Sequence, residues 1–135
     1  IENALFFKKT LLFKDLDLDL LIAIAEKTHQ DIYDPKEMVF DIQQRPAYMY
    51  FIAQGQVKLY DEKKKLIETL EEHDFFGDEA LFNNKPRFYQ AICSKETLLL
   101  TLSRNNLHTI IAECPSVAIA LIELYTQNLT CRHIL

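Results

Sequence analysis

The sequence has 135 residues, enough for one domain with a single hydrophobic core. Hydrophobic residues make up 49% and charged residues 26%, which is ordinary for a globular protein. No apolar stretch approaches the roughly 20 residues that a membrane-spanning helix needs, so we expect no membrane insertion by this segment. The net charge is −5 and the longest basic run is Lys63-Lys64-Lys65, which argues against direct binding of nucleic-acid phosphates.

Cysteine and histidine spacing favours neither a metal site nor a disulfide framework. The three cysteines form no C-x-x-C pair, and we expect reduced thiols, packed as small apolar residues in a cytoplasmic protein. Their positions are Cys93, Cys114 and Cys131, and the four scattered histidines are His29, His73, His108 and His133. Since the chain begins at Ile1 and not at Met, we expect it to be part of a longer protein.

The N-terminal part of the chain predicts two helices. The first is expected at residues 3–9. The second is expected to begin with Asp17 or Asp19 as its N-cap and to end at about His29. Its apolar residues fall on one helical face, at Leu20, Leu21, Ile24 and Ala25.

Short apolar runs between Ile32 and Ser103 predict strands. Runs rich in Val, Ile, Tyr, Phe and Leu recur about every eight to twelve residues, separated by turn-like clusters, which is typical of an all-β roll or sandwich. The expected strands are residues 38–40, 48–53, 56–60, 66–70, 88–93 and 97–102. The run from Tyr50 to Tyr60, interrupted by Gln54-Gly55, predicts a β-hairpin in which Gly55 supplies a positive φ.

Helix is expected again after Ser103. One helix is predicted at residues 105–113, and Pro115 is well suited to begin another that runs to the end of the chain. This last helix carries an apolar stripe made of Val117, Leu121, Leu124, Cys131 and Leu135.

The segment from Asp74 to Arg87, D-F-F-G-D-E-A-L-F-N-N-K-P-R, resembles the phosphate-binding cassette of cyclic-nucleotide-binding domains. The family pattern is F-G-E-hydrophobic-A-L, a short loop, and then P-R. Three further segments resemble the family in the same order: L-F-K-D-L at residues 12–16, Y-F-I-A-Q-G-Q-V-K-L-Y at 50–60 and L-L-L-T-L-S-R at 98–104. The family includes regulatory subunits of protein kinase A, cyclic-nucleotide-gated channels and the sensor half of catabolite-activator-type regulators.

This resemblance implies a mainly β fold with flanking helices, an eight-stranded jelly-roll-like β-roll, or double-stranded β-helix. It predicts a single domain with N-terminal helices in residues 1–29, the β-roll in 30–103 and C-terminal helices in 104–135. It also implies a regulatory module, not an enzyme, with an effector domain outside this chain; G-x-S-x-G, H-E-x-x-H and P-loop motifs are absent. In catabolite-activator-type proteins the matching last helix pairs across a homodimer, so the apolar stripe either forms such a dimer or packs on the roll.

The cassette implies a site for cAMP or cGMP and no other cofactor. A cyclic phosphate remains anionic near neutral pH, and a guanidinium together with backbone N–H groups at a helix start holds it well. Arg87 would supply the guanidinium, residues 77–80 the N–H groups, and Asp78, at the family's Glu position, an acceptor for the ribose hydroxyl. The expected ligand-binding residues are Gly77, Asp78, Glu79, Ala80, Arg87, Phe88 and Tyr89.

Several residues depart from the family pattern. Phe88-Tyr89-Gln90 replaces small residues after the arginine, so Phe88 would either crowd the pocket or stack on a base. Glu79 replaces a hydrophobic residue. Pointing inward at about 7 Å from a phosphate, its carboxylate would oppose binding by roughly 2 kcal/mol. That cost is comparable to the roughly 1.5–3 kcal/mol of an Arg–phosphate hydrogen bond, so the orientation of Glu79 decides whether an anion binds.

Turn glycines of the family are also replaced, at Lys36, at Gln44 and at Glu72 or His73, which predicts a cost in stability.

Two functional hypotheses follow from the sequence. The favoured hypothesis is a sensor of cAMP or cGMP with weakened affinity. The alternative is a degenerate domain that keeps the fold, binds no nucleotide and serves protein docking or dimerisation.

Overall fold

The computed structural model describes residues 2–81 and 83–127, and β-strands form its middle part. The helices are α1 (Glu2–Lys8), α2 (Leu18–Glu26), α3 (Arg104–Glu113) and α4 (Ser116–Gln127), with a short 3₁₀ helix at Asp78–Leu81. The strands are β1 (Thr28–Tyr33), β2 (Met38–Phe40), β3 (Tyr48–Gln54), β4 (Val57–Tyr60), β5 (Leu66–Leu70), β6 (Phe75–Phe76), β7 (Gln90–Cys93) and β8 (Thr97–Ser103).

The eight strands form two four-stranded sheets. One sheet has the order β1-β8-β3-β6 and the other the order β2-β7-β4-β5. In the first, β3 pairs antiparallel with β8 and β6; in the second, β4 pairs antiparallel with β5 and β7, and β2 with β7. This arrangement confirms the expected mainly β fold of eight strands with flanking helices.

The side chains inside the roll form one apolar cluster, in which aromatic residues are prominent. On β3, the four consecutive residues from Met49 to Ile52 are all buried, so both faces of this central strand are covered and it has the continuous apolar run of a core strand. Cys93 belongs to this core, and burial raises the pKa of its thiol. The cluster consists of Phe40, Tyr50, Ile52, Val57, Leu59, Leu70, Phe76, Tyr89, Ala91, Cys93 and Leu99.

The expected hairpin over Tyr50 to Tyr60 is wrong. β3 and β4 lie in different sheets, so the turn between them is a corner at which the chain changes sheet. Gly55 does have the expected positive φ, of 108°. A β-carbon there would lie 2.7 Å from the carbonyl oxygen of Glu96, so the corner needs glycine for its close approach to a neighbouring segment as well as for its φ.

Several predicted boundaries also need correction. Helix α2 ends at Glu26, and β1 begins at Thr28, where the helix was expected to continue to about His29. Lys27 ends the helix by donating its N–H to the carbonyl oxygens of Ile24 and Ala25. β6 was not predicted, and β7 begins two residues later than expected.

The helix-capping prediction at Asp17 is confirmed, because its carboxylate accepts a hydrogen bond from the N–H of Leu20 at 3.0 Å. In α4, Val117 and Leu121 are buried as the stripe predicts, and Leu124 is half-buried. The remaining stripe residues, Cys131 and Leu135, lie outside the described residues, as does the predicted continuation of the helix to the chain end.

Non-glycine residues occupy the left-handed turns that the family pattern predicts. Lys36 has φ 72° and His73 has φ 76°, which confirms two of the expected positions. The prediction at Gln44 is off by one residue, because Gln43 is the residue with φ 75°. A fourth such residue, Lys64 with φ 64°, lies in the turn between β4 and β5.

The chain divides into two units, residues 29–104, which contain the roll, and residues 1–28 with 105–135, which contain the helices. In the helical unit α1 packs against α2. Within residues 2–81 and 83–127, no single helix is both long and apolar enough to cross a membrane. The pair α3 and α4 meets that test only together, with a bend of 108° between them.

Candidate ligand-binding site

The cassette connects β6 to β7 inside the roll unit. Gly77 follows β6 with φ 78°, and the 3₁₀ helix begins at the next residue. A β-carbon at Gly77 would lie 3.1 Å from both the carbonyl oxygen of Tyr48 and the ring of Tyr50. Gly77 therefore allows the cassette backbone to lie directly against β3.

The backbone of Arg87 is fixed by the turn that follows β2. Its N–H donates to the carbonyl oxygen of Gln44 at 2.7 Å, and its own carbonyl oxygen accepts from the N–H of Gln43 at 2.8 Å. The left-handed residue of the turn, Gln43, supplies the donor of one of these hydrogen bonds, and the next residue supplies the acceptor of the other. A turn more than 40 residues earlier in the chain thus holds the backbone of the arginine in place.

The side chain of Arg87 points into the roll and is only 4% exposed. Nη2 donates to the carbonyl oxygen of Tyr48 at 2.7 Å, and Nη1 donates to the carbonyl oxygen of Gly77 at 3.1 Å. The central carbon of the guanidinium lies 4.2 Å from the centroid of the Phe40 ring, a cation–π contact. Protein groups therefore surround this charge on several sides.

Glu79 also points inward, and its carboxylate completes the surroundings of Arg87. Its Oε2 lies 3.2 Å from Arg87 Nη1, and the hydroxyl of Tyr89 lies 2.9 and 2.8 Å from its two oxygens. The Tyr89 hydroxyl in turn accepts from the N–H of Gly77 at 3.2 Å. Gly77, Glu79, Arg87 and Tyr89 therefore form one connected network with a carboxylate at its centre.

Aromatic rings fill the space beside this network. Phe40 lies 5.3 Å from Tyr89, 5.9 Å from Tyr50 and 6.0 Å from Phe76, and Tyr50 stacks on Phe76 at 5.1 Å. Burial raises the pKa of Tyr50, with Arg87 acting in the opposite direction. The guanidinium thus lies among side chains of the apolar core.

The structure brings four predicted residues, Gly77, Glu79, Arg87 and Tyr89, into direct contact. Asp78 and Ala80 are fully buried in the 3₁₀ helix. Phe88 is half-buried against the core cluster, and its ring meets the edge of Tyr89 at 5.0 Å.

Sequence reasoning missed two residues of the site, Phe40 and Tyr48. Phe40 lies in a predicted strand, but nothing in its pattern connects it with an arginine 47 residues later. Tyr48 contributes its backbone carbonyl, which any residue at that position would supply. Neither residue carries a sequence signal of its role.

Metal-binding side chains do not cluster in the parts of the chain that the structure describes, where no group of three or more His, Cys, Asp or Glu could hold an ion. The observed chemistry is that of an arginine, a carboxylate and a phenol.

A β-roll that carries a buried arginine after F-G-D-E-A-L defines the class of this protein: β-roll domains built around a phosphate-binding cassette. The chain belongs to the cyclic nucleotide-binding domain family, whose model matches residues 30–114. The cGMP-dependent protein kinase egl-4 of Caenorhabditis elegans is 26% identical over 118 residues, which cover 83% of this chain and 15% of the kinase. The chain therefore spans a small part of this relative.

Solved structures show the same fold at low sequence identity. The catabolite activator protein of Thermus thermophilus superposes with a TM-score of 0.81 at 22% identity, over 87% of this chain and 57% of that one. The sensor domain of the transcriptional regulator DNR from Pseudomonas aeruginosa gives a TM-score of 0.81 at 19% identity, over 98% and 96% of the two chains. These likenesses confirm the fold.

Proposed function

We propose that this chain is a regulatory module of the cyclic nucleotide-binding family whose own cassette binds neither cAMP nor cGMP, and which serves protein docking or dimerisation. The main support for this proposal is the inward orientation of Glu79. Its carboxylate lies 3.2 Å from Nη1 of Arg87 and accepts a hydrogen bond from the hydroxyl of Tyr89. This orientation favours the degenerate-domain hypothesis over the nucleotide sensor that the sequence favoured.

The energetic argument compares two anions competing for one guanidinium. A phosphate brought to about 4 Å from the Glu79 carboxylate would be repelled by about 4 kcal/mol at an effective dielectric of 20. Moving Glu79 away instead would break charge-assisted hydrogen bonds worth about 1.5–3 kcal/mol each. A new Arg–phosphate hydrogen bond returns a similar amount, so the exchange has no net driving force.

Calorimetric titration of the purified chain with cAMP and with cGMP tests this proposal. We expect no binding heat, and no rise in Tm at 1 mM nucleotide beyond that given by the same concentration of 5′-AMP. A Kd of about 0.1 mM or tighter would stabilise the fold by about 1.4 kcal/mol at that concentration and would contradict the proposal.

Helix α4 supplies the surface for dimerisation in this proposal. Ile119 and Ile122 are 57% and 58% exposed, although Val117 and Leu121 of the same helix are buried. Two large aliphatic side chains one turn apart on an exposed face favour contact with another apolar surface. Because the stripe residues Val117 and Leu121 are already buried within the single chain, the dimer surface in this proposal is the separate exposed face of Ile119 and Ile122.

The double variant Ile119→Glu, Ile122→Glu tests the dimer. We expect the wild-type chain to dimerise and the variant to associate at least about tenfold more weakly, because two charges replace two buried aliphatic groups. Sedimentation equilibrium measures this, with Thr69→Glu, an exposed polar position on β5 and outside α4, as the control. A wild-type chain that remains monomeric at about 100 μM would remove dimerisation from the proposal.

The proposal also covers the position of the effector and the cellular location of the protein. In this proposal the effector lies outside residues 1–135 and no catalysis is assigned to this segment, which matches 15% of the length of the kinase relative. A cytoplasmic location suits Cys93 and Cys114, which are free thiols.

A further inference from the structure

We infer that Glu79 determines the ligand specificity of the cassette by acting as an intramolecular anion, and that Arg87 binds a small oxyanion, acetate or phosphate, once this carboxylate is removed. The inference rests on the proposed function, in which the cassette is occupied by its own side chain.

The contacts of Glu79 have the pattern of a bound oxyanion. One carboxylate oxygen accepts from the guanidinium and from the Tyr89 hydroxyl, and the other also lies within hydrogen-bond distance of that hydroxyl. Because the Tyr89 oxygen accepts from the N–H of Gly77, its own proton is directed to the carboxylate. A free acetate or phosphate in the same place would meet the same two donors.

Arg87 is held in place by groups other than Glu79. Its side chain donates to the carbonyl oxygens of Gly77 and Tyr48 and lies over the Phe40 ring, and its backbone is tied to the turn after β2. Removal of the Glu79 carboxylate therefore leaves the guanidinium where it is. One Nη1 donor and the Tyr89 hydroxyl would then face the vacated volume.

The size of the vacated volume sets the size of the ligand. Glu79→Ala removes the γ-carbon and the carboxylate, which together have the heavy atoms of acetate. Phe40, Tyr50 and Tyr89 remain packed around the site, so the new ligand is a small anion and not a whole nucleotide.

The test measures Tm of Glu79→Ala in a chloride buffer with added sodium acetate or sodium phosphate. At an anion concentration about ten times Kd we expect Tm to rise by about 3–5 °C. The same salts should leave wild type and the exposed-site control Glu96→Ala within about 1 °C of their chloride values. The double variant Glu79→Ala, Arg87→Met should lose the response. Acetamide, which has the shape of acetate without its charge, should give no rise.

Refolding by acetate is the expected result should Glu79→Ala be unfolded in chloride alone. Glu79→Gln, which keeps the side-chain volume without the charge, provides a second variant, with a smaller anion-dependent rise expected. The inference is overturned when neither variant responds to acetate or phosphate more than Glu96→Ala does. It is also overturned when the response persists without Arg87. Nucleotide binding by the wild-type chain would instead overturn the proposed function, so the two failures are distinguishable.

Discussion

Arg87 lies in the roll with two backbone carbonyls, one carboxylate and one aromatic ring around its guanidinium. A buried arginine without a counter-charge is strongly destabilising, so the partner of this residue is a question of stability as well as of function. In this chain the counter-charge is Glu79, eight residues earlier in the same cassette. In our proposal, the same side chain that supplies this counter-charge also takes the place of a ligand.

Tyr89→Phe tests the role of the phenol in holding that carboxylate. The change leaves the buried N–H of Gly77 without its acceptor and removes a donor from Glu79, so we expect the free energy of unfolding to fall by about 1–3 kcal/mol. Urea denaturation measures the loss. Tyr60→Phe, at a partly exposed position on β4, is the matched control and should change stability by less than about 0.5 kcal/mol. Equal effects of the two changes would show that the Tyr89 hydroxyl does not support the network.

At this scale the sequence predicted which residues form the cassette and that the orientation of Glu79 would be decisive. It did not predict the orientation itself. Glu79 points inward because Tyr89 offers a hydroxyl, and that hydroxyl is placed by the fully buried ring and by Gly77. Such a contact depends on three-dimensional packing and not on spacing along the chain.

Four turns of this chain place non-glycine residues in the left-handed region. Lys36, Gln43, Lys64 and His73 adopt left-handed conformations, which cost L-residues with a β-carbon about 1–2 kcal/mol each. Each turn is therefore a position at which glycine should relieve strain.

The adjacent pair Lys64→Gly and Lys63→Gly isolates this effect. Both changes remove the same exposed lysine side chain and add the same freedom to the unfolded chain, but only Lys64 has a positive φ. We therefore expect Lys64→Gly to be more stable than Lys63→Gly by about 1–2 kcal/mol in urea denaturation. Indistinguishable stabilities would mean that the Lys64 conformation carries no strain.

Element types were predicted better than element partners. Gly55 was correctly expected to have a positive φ, but the same local sequence suits a hairpin and a corner between sheets. Which of the two forms depends on long-range pairing, because β3 pairs with β8, whose residues lie 44 to 55 positions later in the chain. The two-residue strand β6 escaped prediction because two phenylalanines carry no periodicity.

For the molecule as a whole, periodicity predicted six strands, whereas the resemblance implied the eight that the structure contains. The difference consists of β1 and β6, at the two edges of one sheet. β1 is polar and mostly exposed, with residues such as His29 and Asp31, so its sequence lacks the apolar alternation of a strand. Four motifs in the family order supplied what local patterns did not.

A double-mutant cycle on the unfolding free energy tests most directly whether Glu79 is the anion of Arg87. The variants are Glu79→Gln, Arg87→Met and the two combined, each measured by urea denaturation. Either single change leaves a buried charge without its counter-charge, whereas the double change removes both charges, so we predict a coupling energy of about 2–3 kcal/mol. Additivity within about 0.5 kcal/mol would contradict the account, since it would mean that the two side chains stabilise the cassette independently.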